Sequence, residues 1–330
     1  EQVTSTILVT GGAGYIGSHT VRYLREWGYC VVVIDHLGGG FPDALPADVL
    51  IRGDIGDTAL LDRVLGRHSV SAVIHFAAFI NVNESVAQPA SYYRNNVANT
   101  LVLLEAMVRH GVRRFVFSST AAIFGAPEYT PIDEAHPKTP VNPYGRSKWL
   151  VEQALADYAV AHGLESICLR YFNAAGADPA GRLGERHEPE THLIPLALQA
   201  ASGRRGAISI FGDDYHTADG TCIRDYIHVE DLVQAHRLAV DHLIADGRSA
   251  VFNLGHGNGY SVREVIESVR RVTGRDFSVE SAPRRLGDPP VLVADSTRAS
   301  ELLGWRPQYA ELDDIVAHAW AWEQQKRVRW

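Results

Sequence analysis

"TILVTGGAGYIGSHTVRYLREWG", Thr6–Gly28, decides the fold. Its first residues are a short apolar run ending in glycine, the pattern of a strand buried on both faces. Its last residues are an amphipathic helix closed by Gly28. Between them stand Gly11, Gly14 and Gly17, spaced G-x-x-G-x-x-G. A strand that becomes a helix through such a triplet brings backbone N–H groups and the positive end of the helix dipole to one point. A pyrophosphate binds there. Glycines also make turns with no ligand, so the triplet alone is weak evidence. The next strand, "CVVVIDHL", adds Asp35, 18 residues past Gly17 and near where a ribose 2′-hydroxyl is read. A carboxylate there repels a 2′-phosphate, so the cofactor expected is NAD rather than NADP.

Outward from this unit, strand-like and helix-like segments alternate: "VLIRGDI", "TALLDRVLGRH", "SAVIHFAA", "ANTLVLLEAMVRHG", "RRFVFSST", "WLVEQALADYAVAHG" and "ESICLRYFN". Such alternation implies a parallel sheet with helices on both faces, a Rossmann-type doubly wound α/β domain. Past Asn173 the rhythm breaks into the polar loop "AAGADPAGRLGERHEPETH" and shorter elements. The division expected is residues 1–172 for the dinucleotide domain and 173–330 for a smaller C-terminal α/β substrate domain, with some segments packing back on the first.

The 330 residues are 46% hydrophobic and 21% charged, ordinary for a soluble globular protein, and carry a net charge of −8. That charge argues against nucleic acid as a partner. Cys30, Cys168 and Cys222 lie far apart, without zinc or disulfide spacing, and read as reduced thiols of a cytoplasmic protein. The histidines fit no metal pattern, so no metal is expected. The first residues lack the basic and apolar regions of a signal peptide, and no apolar run approaches a membrane span.

"NPYGRSKWLVEQ", Asn142–Gln153, sets Tyr144 four residues before Lys148 just after a proline. The plain reading is a solvated helix start. The chemical one is that helical spacing puts phenol and ammonium on one face. A tyrosine of ordinary pKa near ~10 is a poor base at neutral pH, and a nearby cation favours the phenolate by ~1.4 kcal/mol for each unit of depression.

"TGGAGYIGSHT", "HFAA", "YYRNNVANT", "FSSTAAIFG", "NPYGRSK", "LRYFNAAGADP", "ETHLIP", "IFGDDY", "DGTCIRDYIHVEDL" and "APRRLGDP" run in order over nearly the whole chain. Together they resemble the extended short-chain dehydrogenase/reductases and, within that class, the UDP-glucose 4-epimerases. The resemblance implies an NAD-dependent isomerase that oxidises a UDP-sugar at C4′ and reduces the transient 4-ketose on its opposite face. It implies Thr120, Tyr144 and Lys148 as catalytic residues. Cofactor contacts would come from Gly11, Gly14, Tyr15, Ile16, Gly17, Asp35, His36, Asp54, Ile55, Phe76, Ala77, Ala78, Asn95 and Phe172, with Tyr144 and Lys148. Substrate contacts would come from Asn173, His192, Leu193, Ser209, Phe211, Arg224, Arg285, Asp288 and Leu292, with Thr120. Taken one at a time, most of these read equally well as packing or surface residues.

The chain departs from the family pattern in places. Ile80 stands where a lysine nears the cofactor phosphates, Asn81 and Asn83 replace smaller or apolar residues near the sugar, His192 replaces an asparagine, and Phe124 replaces a tyrosine. These touch the choice of sugar, which extends to a UDP-uronate or UDP-pentose, more than the reaction. Leu292 falls where the resemblance places a tyrosine that excludes 2-acetamido sugars, so the N-acetylhexosamine pair is expected to fit. A 4,6-dehydratase shares the fold, but acidic residues follow its threonine, whereas Ala121 and Ala122 follow Thr120. The resemblance also implies a homodimer formed by "TLVLLEAMVRHG" and "WLVEQALADYAVAHG".

Overall fold

The structure, a computed structural model, describes residues 5–326. Its first half runs β1 (Thr6–Thr10), α1 (Tyr15–Glu26), β2 (Cys30–Asp35), β3 (Leu50–Arg52), α2 (Thr58–Arg67) and β4 (Val70–His75). Then come α3 (Val82–Ala87), α4 (Pro89–Tyr92), a π-helical turn (Tyr93–Ala98), α5 (Asn99–Arg109), β5 (Arg114–Thr120), α6 (Pro143–His162) and β6 (Glu165–Tyr171). The second half adds β7 (Asn173–Ala175), α7 (Leu193–Ala201), β8 (Ala207–Phe211), β9 (Ile223–Arg224), β10 (Tyr226–His228), α8 (Val229–Ile244) and β11 (Ala250–Leu254). It closes with β12 (Tyr260–Ser261), α9 (Val262–Thr273), β13 (Ser278–Ala282), β14 (Val291–Leu292), α10 (Thr297–Leu302) and α11 (Leu312–Lys326).

The main sheet has seven strands in the order β11-β6-β5-β4-β1-β2-β3, every neighbouring pair parallel. Alternate residues of β1 face opposite layers, as a period of two requires. Ile7 and Val9 join Val21 and Leu24 of α1 and Leu232, Ala235 and Ala239 of α8. Leu8 joins Leu61 of α2, Leu104 of α5 and Val151 of α6 on the other face. Both layers are apolar because a parallel sheet is buried on both sides.

The sequence reading counts six strands in this sheet, and the structure adds a seventh. β11 pairs with β6 in register from Ala250↔Ile167 to Leu254↔Tyr171, after a crossover through α8. The chain leaves the sheet at Asn173, then returns for α8 and β11. Away from the sheet, α7, α9 and α11 share a core of Ile194, Leu198, Val265, Val269, Ile315 and Val316. Short strand pairs, β8 with β13 and β9 with β12 and β14, carry the surface segments there.

All seven strands of the main sheet end in one direction. β1 ends before Gly11, β2 at Asp35, β4 before Phe76, β5 at Thr120 and β6 before Phe172. The strand order reverses between β1 and β4, and ligands of open α/β sheets bind at the carboxyl ends beside such a switch point.

Candidate active site

Two of the three turn glycines are demanded by the fold. Gly11 sits at φ +71°, and a Cβ on it would lie 2.6 Å from the Ala77 nitrogen. A Cβ on Gly17 would lie 2.3 Å from the Gly11 carbonyl oxygen. Gly14 is different, since a Cβ there would meet only the Gly11 oxygen, at 3.4 Å. Gly14 is also the N-cap of α1 and gives no side-chain hydrogen bond to its first turn. Those N–H groups thus lack a side-chain acceptor, and the space before them is clear, which fits a dinucleotide pyrophosphate.

Asp35 is buried beside this turn. Its carboxylate accepts from the Ala13 N–H at 2.9 Å and the Leu37 N–H at 2.7 Å, which fixes its position. His36 is exposed, with Nδ1 accepting from the Gly38 N–H at 2.8 Å. Exposed Asp54 accepts from the Gly56 N–H at 2.7 Å, and Ile55 is buried in the core. Phe76 N–H donates to the Thr10 carbonyl at 3.0 Å and Ala77 N–H to the Thr10 hydroxyl at 3.4 Å, with half-buried Ala78 next in the chain. Ile16 packs against the core, and the buried Tyr15 hydroxyl donates to the Gly176 carbonyl at 2.6 Å, tying α1 to the second half.

Asn95 lies on the π-helical turn, a local distortion frequent at functional sites, and donates to Asn96 Oδ1 at 3.1 Å. Sequence reasoning missed Asn96. It is buried, accepts from the Phe79 N–H, and donates to the Phe79 carbonyl and to Ser147 Oγ at 3.0 and 3.1 Å. It therefore joins the exit of β4 to the start of α6. Two adjacent asparagines look alike in sequence, and only the helical phase of the turn decides which one points inward.

α6 starts sharply. Asn142 caps it by accepting from the Gly145 N–H at 2.8 Å, and Pro143 holds the first helical position. A Cβ on Gly145 would lie 2.6 Å from the Ala122 carbonyl oxygen, so glycine lets the helix press on the turn after β5. That contact brings the Tyr144 phenol close enough to Thr120 for the threonine side chain to bear on its pKa. Burial raises the Tyr144 pKa above its ordinary value, and the Thr120 hydroxyl pulls it back. Thr120 also accepts from the Ala122 N–H at 3.1 Å.

Lys148 lies one turn on, 4% exposed, with Nζ donating to the Ser118 carbonyl at 2.8 Å and 4.9 Å from the centre of the Phe117 ring. Burial lowers its pKa to about 7 against the opposing pull of Glu152. The sequence reading has the Lys148 ammonium depress the phenol. Here the ammonium is turned to a carbonyl, and burial sets the direction for both groups. Behind them Arg170 grips Glu152 at 2.6 Å, both side chains 3% exposed, and Ser119 donates to the same carboxylate at 2.5 Å.

The substrate-side candidates lie on the short outer strands, the loops beside them and the start of α7. Leu292 of β14 pairs in register with Arg224 of β9, and Arg224 donates to Asp288 at 2.7 Å. The exposed Arg285 guanidinium lies 3.9 Å from the Phe211 ring centre. Ser209 and Phe211 share a face of β8. Asn173 opens β7 and donates its N–H to the Asp225 carbonyl at 3.0 Å, while His192 caps α7 ahead of Leu193. Leu292 and Phe172 pack on the buried trio Ile123, Phe124 and Ile132, directly after Thr120. Of the departures, Asn81 caps α3 by accepting from the Glu84 N–H at 3.0 Å, and Ile80 and Asn83 are exposed.

His192 enters a further group. Its Nδ1 lies 2.8 Å from Glu190 and 3.1 Å from Glu185, with His187 beside both carboxylates. Burial lowers the imidazole pKa values, but the carboxylates outweigh it and push His187 up to about 9 and His192 up to about 10. The sequence reading finds no metal pattern, yet these four side chains meet.

The NAD dependent epimerase/dehydratase family pattern matches residues 7–255. A UDP-glucose 4-epimerase of Halalkalibacterium halodurans is 55% identical over 319 residues, 97% of this chain and 96% of its own length. The UDP-glucose 4-epimerase of Brucella ovis, solved in complex with NAD, superposes with a TM-score of 0.94 at 50% identity, over 96% of this chain and 98% of that one. The Bifidobacterium longum UDP-glucose 4-epimerase, solved with NAD+ and UDP, gives a TM-score of 0.93 at 40% identity, over 98% and 99% of the two chains. Matched over almost its full length by proteins of this kind, the chain belongs to the NAD-dependent epimerase/dehydratase family, among the UDP-glucose 4-epimerases.

Proposed function

We propose that this chain catalyses the 4-epimerisation of UDP-sugars, with UDP-glucose and UDP-galactose as the principal pair and NAD as cofactor. The observation that carries the reading is the approach of Tyr144 to Thr120 at the carboxyl end of β5, on the same end of the sheet as the open glycine turn. When bound, NAD accepts a hydride from the sugar C4 and gives it back to the opposite face. Tyr144 takes the 4′-hydroxyl proton and returns it, and Thr120 positions that hydroxyl and relays its proton. The buried Lys148 orients the same end, Asp35 accepts from the adenosine ribose, and Gly14 leaves the pyrophosphate its place. Arg224 and Arg285 grip the diphosphate, as guanidinium forks suit. Residues 1–172 serve the cofactor and 173–330 the nucleotide sugar, apart from α8 and β11.

Residues after Thr120 weigh against elimination chemistry. Ala121 and Ala122 supply neither acid nor base. Incubation with UDP-galactose and no added NAD tests the reading. UDP-glucose is the expected product, whereas a 6-deoxy-4-keto sugar or no change overturns it.

The same reading includes a homodimer, supported by Leu150 and Val160, exposed at 43% and 91% on α6. Light scattering that reports a monomer at micromolar concentration refutes it. A cytoplasmic location is supported by free Cys30, Cys168 and Cys222. No helix among the described residues is long and apolar enough to cross a membrane.

A further inference from the structure

Loop residues 185–192 read E-x-H-x-x-E-x-H, and the fold draws one donor atom each of Glu185, His187, Glu190 and His192 within 4.8 Å of one another. His187 Nδ1 lies 3.3 Å from Glu185 Oε1 and 3.4 Å from Glu190 Oε2. His192 Nδ1 lies 3.1 Å from Glu185 Oε1 and 2.8 Å from Glu190 Oε1. Ligands about 2.0–2.2 Å from a tetrahedral zinc ion are about 3.3–3.6 Å from each other. The two separations from His187 match that edge length, and the two from His192 are shorter, the 2.8 Å one being a hydrogen bond to Glu190.

The orientation of His187 adds a second observation. Its Nδ1 is enclosed and close to two carboxylates, yet it makes no hydrogen bond among the described residues. It is in ion-pair reach of both carboxylates but is lined up with neither as a hydrogen-bond donor. Both carboxylate side chains are nearly buried, at 8% and 7% exposure. Two such charges need two positive charges close by, which either two imidazolium rings or one divalent cation with neutral rings supplies. Charge does not choose between these; the convergence of four donor atoms within 4.8 Å and the His187 Nδ1 left without a hydrogen bond favour the cation.

We propose that Glu185, His187, Glu190 and His192 form a zinc site. Two imidazoles with two carboxylates suit zinc, while calcium and magnesium take oxygen donors. Four protein ligands leave no open position, so the site is structural rather than catalytic. Its place says what it holds. The His187 ring is 6.1 Å from that of Tyr15, the residue after Gly14. Arg186, between two ligands, lies 3.9 Å from the Phe41 ring centre and pairs with Asp43 at 2.8 Å, in the loop that follows Asp35 and His36. Trp322 of α11 donates to the Glu185 carbonyl at 3.3 Å. One ion there pins the start of α7 to the two segments that flank the cofactor turn.

The test strips the full-length protein with a chelator, titrates it with zinc chloride, desalts it and counts zinc per chain. The wild type is expected to keep one zinc, with a higher melting temperature than the stripped protein. His187→Gln and Glu190→Gln are expected to weaken retention by at least about tenfold. The zinc K-edge spectrum of the wild type is expected to show two imidazole nitrogens and two oxygens, and it decides alone if either variant fails to fold. A wild type that keeps no zinc, variants that keep as much as the wild type, or a spectrum without imidazole overturns the proposal. None of these readouts depends on epimerase activity, so the site stands or falls separately from the proposed reaction.

Discussion

The carboxyl end of the sheet, where Asp35, Thr120 and Lys148 of α6 lie, and the outer segments that carry Phe211 and Arg285 are built in opposite ways. The first three residues are 8%, 9% and 4% exposed, and each is held by hydrogen bonds to backbone or neighbour. Phe211 is 37% exposed, and Leu286 beside Arg285 is fully exposed. The difference fits the task proposed for each region. A proton-transfer group must be held within a fraction of an ångström of its productive place, so it belongs on rigid, buried elements. Groups that grip a nucleotide only need to reach it, and exposed side chains on short strands and loops adjust on binding. The two regions should therefore answer mutation differently, with the buried end losing turnover or stability and the outer segments losing affinity.

The largest effect expected is at Tyr144. General acid–base groups supply about 10²–10⁴-fold in rate, and Tyr144→Phe should lower kcat within that range while the melting curve and UDP binding stay unchanged. A loss of UDP binding instead would erase the distinction between the regions. Next comes the brace behind the site. Glu152→Gln leaves Arg170 buried without its partner, which costs about 3–5 kcal/mol when such a pair is broken, so chemical denaturation should show a loss of that size. An unchanged midpoint would mean that the buried end is not cross-braced as described.

In the outer region, Arg285→Ala, in the loop between β13 and β14, should raise KM for UDP-galactose roughly tenfold through a lost charge-assisted hydrogen bond. Its stability should move by less than about 0.5 kcal/mol, as for other surface changes. A kcat effect without a KM effect would place Arg285 with the buried end. The smallest change expected is one of selectivity. Leu292 packs beside Phe124 and Phe172, near Thr120. Wild type should interconvert UDP-N-acetylglucosamine and UDP-N-acetylgalactosamine, and Leu292→Tyr should suppress that pair while sparing UDP-galactose. A wild type inactive on the acetamido pair contradicts this reading of Leu292.

The cofactor half was legible in the sequence because its signals are local. A strand, a glycine triplet, a helix and an acid at the end of the next strand occur in chain order, and each constrains its neighbour. Tyr144 and Lys148 were legible for the same reason, since helical spacing puts them on one face. The oxygen that receives Lys148 was not, because the Ser118 carbonyl comes from β5, 30 residues earlier. β11 escaped because its partner strand lies across a long crossover, and Asn96 because a π-helical turn changes the phase of the residues on it. The four side chains of residues 185–192 escaped because they sit in a loop, where no helical or strand period predicts which side chains converge.

The central claim is that C4 is oxidised and reduced by one retained cofactor, with Tyr144 carrying only the hydroxyl proton. The most direct measurement uses UDP-galactose deuterated at C4, incubated with the protein in ordinary water without added NAD, with the product analysed by mass spectrometry. The account predicts UDP-glucose that keeps its deuterium. UDP-glucose with deuterium replaced by solvent hydrogen would mean that the C4 hydrogen leaves as a proton, and would contradict the account.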